Sequence, residues 1–308
     1  MSIEATYVPS PLDDTLPSNP VLRALRVGWA WTRRYPVVPF AVLVLMLVCA
    51  IFAEQLSPHD PLRGNLRAAF TPPIFMDGGT WEHPLGTDHQ GRDVLSRAIY
   101  GARISTIIST AVILAGGIGG TVIGLIAGYR GGWVDQAAMR AVDFTLAMPF
   151  LLVALVVVVV FGQSLELIIV LLILFGWDNF ARVVRAETLT LRESDYVSYA
   201  RIQGASQARI LFRHILPGVV GTVLVIGSLR VGSLILTEST LSFLGVGVPP
   251  DTPAWGIMAA DGRQHLSRAW WISTMPGIAI FLVVMGFNFL GDWLRDWFDP
   301  RLRQLRVQ

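Results

Sequence analysis

The stretch Ile104-Ser105-Thr106-Ile107-Ile108-Ser109-Thr110-Ala111-Val112-Ile113-Leu114-Ala115-Gly116-Gly117-Ile118-Gly119-Gly120-Thr121-Val122-Ile123-Gly124-Leu125-Ile126-Ala127-Gly128-Tyr129 carries no charge over 26 residues. About 20 apolar residues suffice for a helix to cross the hydrocarbon core of a bilayer. Its glycines add a second feature. Gly116, Gly120, Gly124 and Gly128 recur every four residues, with Gly117 and Gly119 beside them. Residues four apart share one helix face, so this face is nearly bare backbone and another helix can approach it closely. The partner is either a helix of a second subunit or a neighbour in the same chain. Both readings are open at this stage.

Working outward, apolar runs recur on both sides. Residues 37–53 are uncharged and extend to Leu56 if Glu54 sits at the interface. Residues 144–165 are uncharged and include the β-branched run 156–160. A weaker run, 164–184, is interrupted by Glu166, Asp178 and Arg182. Residues 216–236 hold only Arg230, and 269–291 hold no Arg or acidic residue. The expectation is an all-α membrane protein of six transmembrane helices. Composition agrees: of 308 residues 53% are hydrophobic, only 15% are charged, and 29 are glycine. The apolar-plus-glycine share stands well above the roughly 45–50% of soluble domains, and the mean hydropathy is +0.56.

All 24 basic residues are arginine. A phosphate-binding loop of the G-x-x-x-x-G-K-[ST] type needs a lysine on the nucleotide phosphates, so ATP hydrolysis by that route is excluded. Cys49 is the sole cysteine and offers neither an intrachain disulfide nor a CxxC site. No secretory leader is evident, since residues 1–36 are polar and proline-rich, with Arg23, Arg26, Arg33 and Arg34 just before the first apolar run. With that tail inside, the inner segments carry sixteen arginines, including Arg130, Arg140, Arg182, Arg185, Arg192, Arg295, Arg301, Arg303 and Arg306. The outer segments carry seven: Arg63, Arg67, Arg92, Arg97, Arg103, Arg263 and Arg268. Arginine enriched on the cytoplasmic side places both termini inside. The chain then divides into a cytoplasmic tail (1–36), a first span with a long extracytoplasmic loop (37–103), a core of spans (104–292) and a cytoplasmic tail (293–308). Trp29, Trp31, Trp270, Trp271, Trp293 and Trp297 fall near span ends, as interfacial anchors do.

The most charged stretch is the inner loop 185–215. Within it, Ser194 or Asp195 can cap a helix start and Gly204 can end it in a left-handed conformation. A short helix of about two turns is expected, then a second helical stretch over 207–216, with Pro217 opening the fifth span. The residues Ser198, Tyr199, Ala200, Arg201, Ile202, Gln203, Gly204, Ala205 and Arg209 form its candidate functional surface. Two uses are open: docking into a cleft of a cytoplasmic partner, or lying on anionic lipid head groups.

This loop resembles the EAA loop of permease subunits of binding-protein-dependent ABC importers, E-A-A, three residues, G, nine residues, I-x-L-P. Ser198-Tyr199-Ala200 stands at the E-A-A part, Gly204 at the Gly, and His214-Ile215-Leu216-Pro217 at the ending. Ala200, Gly204, Leu216 and Pro217 match; Ser198, Tyr199 and His214 depart. The stretches Leu85-Gly86-Thr87-Asp88, Gly91-Arg92-Asp93-Val94-Leu95-Ser96-Arg97 and Tyr100-Gly101-Ala102-Arg103 look like the signature of the C-type permease of the dipeptide/oligopeptide/nickel family. So do Leu241-Ser242-Phe243-Leu244-Gly245 and Pro253-Ala254-Trp255-Gly256. The resemblance implies a type I importer permease fold in the bacterial inner membrane. It also implies four partners: a homologous second permease, two cytoplasmic ATPase subunits that bind ATP and Mg, and an extracytoplasmic solute-binding protein. The solute would be a short peptide, glutathione or a nickel chelate.

Three charged residues at membrane depth are candidate pathway groups, because burying charge there is costly. Arg230 either pairs with Asp178 or meets a substrate carboxylate. Glu238 either attracts a substrate amino group or sits at the surface. Arg140 and Asp143 lie near an inner helix end, where head-group or subunit contacts are expected. His83, Asp88, His89 and Asp93 match no strong ligand spacing, so no metal is expected. Thr87 and Gln90 read as a helix-capping pair. No hydrolase elbow or H-E-x-x-H motif occurs, no catalytic residue is expected, and nothing points to nucleic acid. A stand-alone secondary transporter would show inverted repeats and broken midplane helices, and no clear internal repeat is seen. An intramembrane enzyme would need catalytic residues paired at one depth.

Overall fold

The structure, a computed structural model, describes residues 37–298. The expectations for the tails 1–36 and 299–308, with Arg23, Arg26, Arg33, Arg34, Arg301, Arg303, Arg306, Trp29 and Trp31, lie outside the described residues. Among those described there is no strand, only an isolated bridge between Thr87 and Asp93.

Among the described residues, nine longer helices carry the architecture. They are α1 (Val37–Ile51), α2 (Val94–Arg130), α3 (Gly132–Ala147), α4 (Phe150–Phe161), α5 (Leu165–Arg192), α6 (Asp195–Ile202), α7 (Gln207–Phe243), α8 (Trp255–Arg263) and α9 (Trp271–Phe298). Of these, α2, α5, α7 and α9 are each long and apolar enough to cross a membrane. The pair α3 and α4 passes the same test jointly but is bent by 78°. The apolar helix α1 is shorter, at 15 residues.

Several boundaries differ from the sequence expectation, each for a local reason. The second span begins ten residues early, at Val94, because Asp93 caps it: the Ser96 amide donates to Asp93 Oδ2 at 2.7 Å. Thr87 and Gln90 are not a capping pair. Thr87 Oγ1 instead accepts from the Thr71 amide at 2.8 Å and donates to the Ala68 carbonyl. The third run breaks at Pro149, which lacks an amide hydrogen and drives Met148 into extended backbone (ψ 124°). The fourth run continues as helix to Arg192, with a turn at Phe175 and Gly176. Pro217 stands in the first turn of the regular α-helix Leu216–Phe243, as expected, and the helical stretch before it joins on without a break. Helix α7 begins at Gln207 and reaches Pro217 through a π-turn, Ile210–Ile215, a wide turn of the kind that inserts into α-helices without ending them.

The tightest helix pair is α2 against α5. A Cβ added to Gly124 would lie 2.5 Å from the Ala181 carbonyl oxygen and 2.9 Å from Val184 Cβ. On Gly128 it would lie 2.8 Å from the Arg185 carbonyl oxygen, and on Gly120 it would collide with the Trp177 carbonyl. The glycine face therefore meets a helix of its own chain. Gly116, in the π-turn Ile113–Gly117, has more room, with nothing nearer than 3.6 Å. The seam is closed at one end by Arg192, whose Nη1 donates to the Gly128 and Tyr129 carbonyls at 3.2 and 3.3 Å. A cation there suits the negative end of the α2 dipole.

Apolar burial forms three clusters. One joins α2, α4, α5 and α7 through Ile108, Ala154, Ile168 and Leu241. A second gathers Met46, Val94, Trp255, Trp271 and Ile272 where the 57–93 loop, α8 and the start of α9 meet. The third lies at the opposite end and includes Leu125, Val184, Val197, Ile210, Ile215 and Val219.

Candidate coupling surface and buried charges

Helix α6 sits at the end of the bundle closed by Arg192. Ser194 occupies its N-cap position, but its hydroxyl donates backward to the Leu191 carbonyl rather than capping α6. The other end is built as expected from Gly204. Its φ is +77°, its amide donates to Arg201 and the Ala205 amide donates to Ala200, both at 3.0 Å. This pair of bonds is the Schellman closure, and its left-handed position disfavours any side chain with a Cβ.

The helix is two-faced. Val197 is fully buried in the third cluster and Ala200 is 8% exposed, which anchors one side. The other side presents Tyr199, 67% exposed, and Ile202, 81% exposed. Arg201, Gln203, Gly204 and Arg209 are also exposed, while Ser198 and Ala205 are half-buried. Tyr196 Oη donates to the His214 carbonyl at 3.4 Å, tying α6 to the π-turn of α7. An anchored helix with two large apolar side chains turned outward is a surface made for contact.

The membrane-depth charges are placed differently from one another. Arg230 Nη2 on α7 donates to Asp178 Oδ1 on α5 at 3.4 Å, and the Asp178 side chain is 3% exposed. The structural pair is formed. Glu238 is not at the surface. It is fully buried and accepts from Ser242 Oγ at 2.7 Å and Ser239 Oγ at 3.4 Å, beneath α8. A polar group is tolerated there because neighbouring hydroxyls satisfy it. Asp143 accepts from Arg182 at 2.9 Å, and Arg185 clasps Asp135 in a bidentate contact through its Nε and Nη2.

Sequence reasoning missed a charged clasp at the opposite end. Arg92 Nε and Arg97 Nη1 both donate to Asp88 Oδ2, at 2.6 and 2.7 Å, and Arg92 Nη2 reaches Asp261 of α8 at 3.2 Å. Trp255 and Trp271 donate from their indoles to the Ala98 and Thr87 carbonyls. Only the i, i+4 spacing of Asp88 and Arg92 hinted at this. Burial opposes the Asp88 charge, but the Arg92 amide and the two guanidinium groups outweigh it and hold the carboxyl below its ordinary value.

Replacing Asp88 with alanine leaves Arg97, 2% exposed, without its nearest counter-charge. Breaking a buried pair in this way costs about 3–5 kcal/mol, so the 57–93 loop is expected to become susceptible to protease in D88A. In the unaltered chain the clasp carries a pH sign. A carboxyl whose folded value is lowered contributes stability that is complete above the unfolded value of about 3.9. That stability drains only as pH falls through the lower folded value. Loop protection is therefore expected to be flat from pH 8 to pH 5 and to fall in stronger acid.

Residues 120–304 match the family described as binding-protein-dependent transport system inner membrane component. The chain belongs to that family, and so to the integral proteins of the bacterial inner membrane. Among named relatives, the dipeptide transport system permease protein DppC of Escherichia coli is 42% identical over 93% of this chain and 97% of its own length. The di/tripeptide permease DppC of Pseudomonas aeruginosa is 38% identical, covering 85% and 86%. The glutathione transport system permease protein GsiD of Pectobacterium atrosepticum is also 38% identical, covering 94% and 97%.

Proposed function

We propose that this chain is the C-type permease subunit of an ATP-driven importer of short peptides. It crosses the membrane six times, through α1, α2, the bent pair α3–α4, α5, α7 and α9, with both termini in the cytoplasm. Four of these helices are long enough alone, and the arginine bias supports the orientation. A homologous permease completes the pathway, two ATPase subunits bind ATP and Mg, and an extracytoplasmic protein delivers the solute. The chain itself contributes no catalytic group.

The observation that carries the reading is α6: buried at Val197, open at Tyr199 and Ile202, and followed by a glycine turn. Such a knob suits a groove on one of the two ATPases, through which closure on nucleotide would move α7 by way of the π-turn. Peptide is favoured over nickel chelates because the relatives quoted above are named for dipeptides, di/tripeptides and glutathione. The Arg230–Asp178 pair serves the bundle, leaving the solute to be chosen mainly by the binding protein. The test is purification of the tagged chain with its genomic neighbours co-expressed. A subunit carrying a lysine-containing phosphate-binding loop is expected to co-elute. Its consistent absence, with uptake intact after deletion of residues 199–204, refutes the reading.

A further inference from the structure

At the end of the bundle away from α6, the 57–93 loop forms an open-mouthed pocket of about 480 Å³, with His59, His83, Asp93, Glu82 and Arg63 in its lining. Four of these are metal-ligating types, and His59, His83 and Asp93 are the three that the loop brings together. One ligand atom from each of His59, His83 and Asp93 lies within 4.8 Å of those of the other two. We propose that His59, His83 and Asp93 bind one divalent transition-metal ion of the zinc type.

The donors are held before any ion arrives. Asp93 Oδ2 accepts from the Ser96 amide and hydroxyl, at 2.7 and 2.6 Å, which leaves Oδ1 for His83. Ser96 Oγ in turn accepts from the His59 amide at 3.1 Å, so the same hydroxyl orients two of the three ligands. Outer partners of this sort fix ligand geometry in metal sites. His83 Nδ1 lies 3.0 Å from Asp93 Oδ1. Two ligands on one tetrahedral zinc, with bonds of about 2.0–2.1 Å, stand about 3.3 Å apart. The two are hydrogen-bonded to each other, and an ion would replace that bond at a ligand separation only a few tenths of an ångström wider. The His59 ring centroid is 4.7 Å from that of His83.

A second observation points to a missing ligand. His59 Nδ1 is buried and has no hydrogen-bond partner among the described residues, and a buried polar atom left so is costly. An ion held among the three side chains would give His59 a partner, and the adjoining pocket leaves room for a water as fourth ligand. Two imidazoles and a carboxylate suit zinc and its neighbours better than magnesium or calcium, which take oxygen shells. Arg63 does not oppose this strongly, because its side chain is 89% exposed and paired with Asp60 at 3.2 Å. The neighbouring group Asp88, His89 and Asp261 is a weaker candidate, since both carboxylates already serve Arg92 and Arg97. An ion at His59, His83 and Asp93 would bolt the loop to the first turn of α2, with the whole extracytoplasmic face built on it.

The experiment uses the full chain in lipid nanodiscs, purified with a tag free of histidine and stripped with chelator, titrated with zinc alone by calorimetry. One equivalent is expected, with binding at least about tenfold weaker in H59A and in H83A and unchanged in H89N. Zinc should also raise the thermal midpoint of the unaltered chain but not that of H59A, a readout that shows whether the variant folds. The proposal is overturned by an absence of stoichiometric binding. It is equally overturned by binding that H59A and H83A retain, or that H89N alone removes, which would place the ion on the other cluster.

Discussion

Peptide uptake is expected to fall at least about tenfold when Tyr199 and Ile202 are both changed to aspartate, with the amount of chain in the membrane unchanged. Both side chains are largely exposed, so the folded chain has little to lose from their replacement. The docked state has much to lose. Burying a large apolar side chain contributes roughly 1.5–3 kcal/mol, and an unpaired carboxylate placed in the groove adds a further penalty. A loss of 1.4 kcal/mol is already about tenfold in binding. Labelled dipeptide uptake, an immunoblot of the membrane fraction and the quantity of co-purified ATPase give the three readouts. Normal uptake in this variant would show that α6 is not the contact.

The second large effect lies in the fold. Gly124→Leu is expected to cut the amount of folded chain in the membrane several-fold. Overpacking a well-filled interior costs about 1–3 kcal/mol when neighbouring side chains can shift. At Gly124 the obstacle is a backbone carbonyl of α5, which cannot move without parting the two helices. Gly116→Ala is the matched comparison, since its Cβ would sit in ordinary contact, and its level is expected to stay near that of the unaltered chain. Equal levels for the two variants would mean that the α2–α5 seam does not hold the bundle.

The helical class and the main apolar runs were legible because bilayer length and lack of charge are strong, local signals. Residues 104–129 announced α2, and 269–291 announced α9. Boundaries were less legible where a polar residue decides them from outside the apolar run. Asp93 starts α2 ten residues before the run itself begins, and the turn there depends on Ser96 and the 57–93 loop folding together. Pro149 was visible, yet a proline inside an apolar run is compatible with either a kink or a break. Its 78° consequence is a tertiary outcome. Gly204 was legible because few residues accept its conformation. Which face of α6 is buried was not, since that depends on Val197 finding Ile210 and Ile215 across a turn. The Asp88–Arg92–Arg97 group gains Asp261, and His83 with Asp93 gains His59, from far along the chain. Spacing hinted only at the Asp88–Arg92 pair; Asp261 and His59 are brought in by the tertiary fold.

The account turns on the chain conducting solute only when an ATPase drives it. Transport should be measured in proteoliposomes holding either this chain alone or the assembled complex, with binding protein and labelled dipeptide on one side and ATP on the other. Uptake is predicted only for the complex, only with hydrolysable ATP, and not when Tyr199 and Ile202 are aspartate. Concentrative uptake by the chain alone, or uptake by the complex that ignores nucleotide, would contradict it.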